Sequence, residues 1–166
     1  MSLTAESARH KRLVPEDLLR IAVIDDVALA PQGDLVAMTI RTGDAVANRN
    51  YAHLRIVPVD GSPAQSLPVG EHVDHAASWS PDASRLAFLS DRTGQEQLWL
   101  TTPDGSEPRQ ITSFPLGVRG QPAWSPDGRC LAIAVVDEDE PGSAPAPIVA
   151  ADSLPFSVTH LCYRVD

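Results

Sequence analysis

The chain predicts an all-β fold: a partial β-propeller of about two and a half four-stranded antiparallel blades, with a short N-terminal helix. Three observations point there. Trp-Ser-Pro-Asp is written twice, in "AASWSPDASRLAFLSDRTGQEQLWLTTPDGSEPRQIT" and in "QPAWSPDGRCLAIAV". A degenerate earlier copy, "ALAPQGDLVAM", joins the series, so Pro31, Pro81 and Pro126 fall 50 and then 45 residues apart. Fifteen prolines and ten glycines punctuate the whole chain, which suits short strands between regular turns better than long helices.

The three copies stay in register around each proline. Two residues before it stand Leu29, Trp79 and Trp124; five after stand Val36, Leu86 and Leu131; six after stand Ala37, Ala87 and Ala132. One unit reads as a meander. Trp79 ends a strand, and Ser80-Pro81-Asp82-Ala83 makes a tight turn, because proline presets φ at the second position and aspartate suits the third. "RLAFLS" is the second strand, "DRTG" a turn, and "QEQLWLTT" the third strand with Trp99 within it. Asp104-Gly105 marks the next reversal, as Asp60-Gly61 does in the first copy, and "EPRQIT" is a weaker fourth strand. In the third copy Pro126-Asp127-Gly128 supplies glycine where the turn needs a positive φ; Ala83 at that place costs a little. "RLAFL" and "CLAIAVV" are nearly continuous apolar runs, which implies burial on both faces. A repeat of this period with four strands per unit is that of a propeller blade. The tryptophans before the turns are expected to pack between blades.

The expected organisation is a flexible segment 1–12, a short helix 13–23, then blades at 24–70, 71–115 and 116–166. The last is partial and carries an acidic, proline-rich insertion at 137–147. Pro15, Glu16 and Asp17 favour the first turn of the helix. Propellers close with roughly four to eight blades. The chain is therefore expected to be a fragment of a longer protein, or to bury its open faces by association.

A net charge of −9 with no Lys/Arg cluster argues against nucleic acid or an anionic membrane as partner. No run approaches the ~18 apolar residues of a membrane span, and no secretory h-region opens the chain. Cys130 and Cys162 read by default as buried free thiols of a cytoplasmic protein, with one disulfide left open by spacing alone.

The pattern "WSPDG-x-x-[LI]-A-[FY]" followed by "SDR-x-G" resembles the repeat of TolB-type propellers, also found in the propeller domain of the prolyl oligopeptidase family. Residues 13–38 look like the start of the propeller in acylaminoacyl-peptidase-like members, with Ala30-Pro31-Gln32-Gly33 in place of Ser-Pro-Asp-Gly. "PFSVTHLCYRVD" resembles a segment of the same enzymes, with His160 where arginine is usual. The resemblance implies a non-catalytic propeller that gates short peptides toward an α/β-hydrolase domain with a Ser-Asp-His triad. Its partners would be the rest of the propeller and that domain, or further copies of the chain.

No Gly-x-Ser-x-Gly elbow occurs in the 166 residues. No catalytic residue, cofactor or metal is therefore assigned, and the chain as given is expected not to be a catalyst. Two other readings stay open. One is a TolB-like protein-binding scaffold. The other is a zinc site at Glu71, His72, Asp74 and His75 in "GEHVDH", against which stands a solvated inter-blade loop. His53 and His160 read as satisfied structural histidines.

Overall fold

The computed structural model describes residues 14, 17–18 and 21–135, and the backbone of a strand at 157–160. Three sheets follow one another. The first has order β1-β2-β3-β4: Val23–Leu29, Leu35–Asp44, Arg49–Pro58 and Gln65–Ser66. The second has order β5-β6-β7-β8: Asp74–Trp79, Leu86–Ser90, Gln97–Thr101 and Arg109–Gln110. In both, every neighbouring pair is antiparallel. These are two four-stranded blades.

The third sheet departs from the expected pattern. β9 (Val118–Trp124) and β10 (Cys130–Val135) form the antiparallel start of a blade, but β11 (Ser157–His160) pairs with β10 in parallel. A parallel neighbour needs a long crossover, and the chain between Val135 and Ser157 has the length for one. The insertion at 137–147 lies outside the described residues. Of the expected helix at 13–23, the described residues show only a 3₁₀ turn at Asp17 and Leu18, and β1 already begins at Val23. The Val14 N–H bonds Asp17 Oδ2, and the Asp17 N–H bonds the Val14 carbonyl.

The apolar run of the second blade is explained by two cores, one on each side. Leu86 and Phe88 of β6 face the first blade and pack with Leu54, Ile56, Leu67, Trp79 and Trp99. Their neighbours Ala87 and Leu89 face the other way and pack with Leu98, Leu100, Val118, Leu131 and Ile133. Side chains alternate across a strand, so a strand sandwiched between two blades needs apolar residues at every position. All five residues of β6 are buried accordingly. Full burial of a side chain such as Phe88 contributes about 1.5–3 kcal/mol.

β10 shows the opposite case. Leu131 and Ile133 are buried against the second blade, with Val135 packed beside them, whereas Ala132 and Ala134 on the other face are only half-buried. The expectation of burial on both faces holds on one face alone, because no described blade lies beyond the third. The first blade is open on its other side. Val23, Ile24, Val27 and Leu29 of β1 are exposed, Leu29 at 61%.

Candidate functional site

The three proline turns share one backbone geometry. The Gly33, Ala83 and Gly128 N–H groups bond the carbonyls of Ala30, Ser80 and Ser125 at 2.8, 2.8 and 2.9 Å. All three donors have positive φ, at 76°, 52° and 69°. Where the sequence reads Ser-Pro-Asp, side chains reinforce the turn. Ser80 Oγ accepts from the Arg85 N–H at 3.0 Å and donates to Asp82 Oδ1 at 2.7 Å. Asp82 Oδ1 also accepts from the Ser84 N–H at 3.0 Å. Ser125, Asp127, Arg129 and Cys130 repeat the arrangement. The Ser80 hydroxyl, then the Ser84 N–H, pull the Asp82 carboxyl down to about 2. The Ser125 hydroxyl and Arg129 N–H lower Asp127 in the same way. Asp104 is lowered by Thr102 and Ser106 in the Asp104-Gly105 turn, where Gly105 stands at φ 72°. These aspartates serve as turn acceptors.

The tryptophans before the turns link blades. Trp79, 7% exposed, sits in the core between the first two blades, and its Nε1 donates to the Ala28 carbonyl at 3.0 Å. The Trp124 Nε1 donates to the Ser78 carbonyl, also at 3.0 Å. Trp99 stacks on Phe88 with ring centroids 6.5 Å apart.

The polar groups outside the turns gather at the opposite end of these strands. Asp74 begins β5 and is wholly buried. Its Oδ2 accepts from the Arg92 guanidinium at 2.6 Å and lies 3.3 Å from His72 Nε2. Arg92 in turn lies over the Trp99 ring, 4.9 Å from its centroid, and takes its Nε–H to Ser90 Oγ. Asp91 accepts from the Val73 N–H at 2.7 Å and from Arg49 at 2.9 Å, joining the two blades. The His53 and His72 rings meet edge to face at 5.6 Å. Burial, then the nearby His72, lowers the His53 pKa below its ordinary 6.5, with Asp74 opposing. Beyond the second blade, Glu96 receives both His75 and Arg119, the latter at 2.7 Å.

This overturns the solvated-loop reading of Glu71-His72-Val73-Asp74-His75. Only Glu71 is exposed, and Asp74 is a buried ion-pair partner. The two imidazoles proposed for zinc go to different partners, His72 toward Asp74 and Arg92, His75 toward Glu96. Among the described residues no three His, Cys, Asp or Glu side chains converge as a metal site. His53 is not fully satisfied either, since its buried Nδ1 has no partner. Cys130 is half-buried, and Cys162 and the His160 side chain lie outside the described residues. Among the described residues no hydrogen bond joins a histidine to a serine or cysteine.

What the geometry defines is a segment of β-propeller: consecutive blades, Pro-Asp turns at one end, and tryptophans hydrogen-bonded back onto the blade before. The comparisons agree. The chain is 31% identical over 128 residues to dipeptidyl-peptidase 5 of Porphyromonas endodontalis, covering 77% of this chain and 18% of that protein. It is 30% identical over 126 residues to the uncharacterized peptidase YuxL of Bacillus subtilis, covering 75% and 19%. Acylaminoacyl peptidase from Pyrococcus horikoshii superposes with a TM-score of 0.58 at 17% identity, over 80% of this chain and 21% of that one. The β-propeller domain of the Trilobed protease from Pyrococcus furiosus gives 0.54 at 18% identity, over 69% and 34%. The aligned part spans about a fifth of the curated relatives. No family model matches the chain. These similarities are consistent with a propeller segment of a prolyl oligopeptidase-family peptidase. Among the described residues no helix is long and apolar enough to cross a membrane.

Proposed function

We propose that this segment is the non-catalytic propeller portion of a prolyl oligopeptidase-like serine peptidase, gating peptides on their way to an α/β-hydrolase domain. The observation that carries the reading is the alignment of three-quarters of the chain with peptidases, over residues that fold into blades and not into a hydrolase. Short peptides are the substrates this reading assigns to the whole enzyme, and the cytoplasm is its location. A match to the TolB protein of Alcanivorax borkumensis, 28% identical over 87 residues, supports the second reading, a protein-binding scaffold.

The coding sequence beyond residue 166 separates the two. The peptidase reading expects further Ser-Pro-Asp-Gly units in frame and then a Gly-x-Ser-x-Gly elbow; more blades with no such elbow favour the scaffold. Gating itself is tested in the encoded enzyme with Trp79→Ala, which loosens the first blade junction. Cleavage of a long unstructured peptide should rise relative to a dipeptide anilide. If that ratio is unchanged while amide exchange at the junction has accelerated, the propeller does not filter by size.

A further inference from the structure

Because the blades repeat, each junction can be compared with the other position by position. Near its start the first strand of every blade pairs with the second strand, through Ile24↔Ile40, Asp74↔Ser90 and Val118↔Val135. Ile40, Ser90 and Val135 each stand nine residues after the turn proline. The first and third of these pairs are apolar. The second is not: Asp74 is wholly buried and accepts from Arg92, whose guanidinium lies over the Trp99 ring.

The preceding blade changes in step. Val118 and Val135 pack with Leu89 and Leu98 in the core between the second and third blades. The place of Leu89, eight residues after the turn proline, is held in the first blade by Thr39. Thr39 is wholly buried and pairs with Leu54. It shares the face of Leu54 and Ala37, which pack toward the second blade. At one level of the fold, then, the first junction is polar on both sides, with Thr39 on one blade and Asp74 and Ser90 on the other. The second is apolar on both sides, with Leu89 on one blade and Val118 and Val135 on the other.

Stability does not account for the polar layer. Thr39 Oγ1 and Asp74 Oδ1 are buried there without partners. Apolar residues of similar size generally match or exceed a buried ion pair, whereas a buried charge set against an apolar neighbour is strongly unfavourable. We propose that the layer is a pairing code that decides which blade stacks on which. The second blade accepts a preceding face that is polar at the Thr39 place and rejects one that is apolar there. A second blade stacked on another second blade would set Asp74 against Leu89. A third blade stacked on the first would set Val118 and Val135 against Thr39. The repeat makes both errors accessible, because the second and third copies carry the same tryptophan and the same Ser-Pro-Asp turn. The code does not depend on peptidase activity.

Four whole chains reproduce the four possible junctions in one frame. They are the wild type, Thr39→Leu, the triple variant Asp74→Val/Ser90→Val/Arg92→Met, and the chain with all four changes. Arg92→Met keeps a stem over the Trp99 ring and removes a charge that Asp74→Val would leave unpaired. Urea unfolding of each chain gives the coupling across the junction. Thr39→Leu should lower the folding equilibrium constant of the wild type and raise that of the triple variant, a coupling of about tenfold. Thr39→Val, which keeps the shape of threonine, should show coupling of the same sign without added volume. A triple variant that unfolds and is rescued by Thr39→Leu supports the code. An equal effect of Thr39→Leu in both backgrounds overturns it, as does coupling of the opposite sign. Coupling with leucine but none with valine assigns the effect to size and overturns it too, and so does a fourfold variant that fails to fold.

Discussion

Ala83 and Gly128 fill one backbone place in successive turns, at φ 52° and 69°. The left-handed region costs a residue with a Cβ roughly 1–2 kcal/mol. Ala83 offsets part of this through its methyl group, which packs against the core between the first two blades. At Gly128 an added Cβ would meet only Pro81 Cδ, at an ordinary 3.6 Å. Gly128→Ala should therefore fold normally and lose about 1 kcal/mol, read as a lower urea midpoint with an unchanged slope. No loss would mean that the turn relaxes. These turns were legible in the sequence because proline, aspartate and glycine act within four residues. The burial of Asp74 was not, because it depends on Arg92, eighteen positions away in the chain, and on a neighbouring blade.

At the level of the strand, two similar apolar runs meant two environments. "LAFLS" is buried throughout because blades lie on both sides. "CLAIAV" has a similar run but is buried on alternate residues, because its second face is open. Sequence alone could not distinguish the two, since the run reports what a strand is built to meet and not what is present. The tryptophans give a sharper contrast. Trp79 Nε1 has a carbonyl partner, whereas the buried Trp99 Nε1 has none. Trp79→Phe removes a satisfied donor and orphans nothing in its place except an acceptor, so it should cost about 1–2 kcal/mol. Trp99→Phe removes an unsatisfied donor and keeps the stack on Phe88, so it should cost at least 1 kcal/mol less. Paired denaturation curves measure the difference, and equal losses would show that ring volume, not the indole bond, holds the first junction.

Across the whole molecule the two junctions differ in kind. The second is joined by Glu96 with His75 and Arg119, all partly exposed. The first encloses Asp74 with Arg92 and His72, beside His53 with its unpartnered Nδ1. Its weak point is His53. Burial and the nearby His72 and Arg92 oppose a charge there more than Asp74 favours one, so its pKa lies below 6.5 in the folded chain. The unfolded chain then takes up this proton first as acidity rises. The stabilisation is fully present above pH 6.5 and is lost as pH falls from there toward the folded value. The urea midpoint of the wild-type chain should fall between about pH 7.5 and about pH 5.5, and that of His53→Gln, which cannot protonate, should fall less. Amide exchange should place the acid-induced opening between β3 and β5. Parallel decline of the two proteins would assign the acid sensitivity to other groups and leave the first junction as firm as the second.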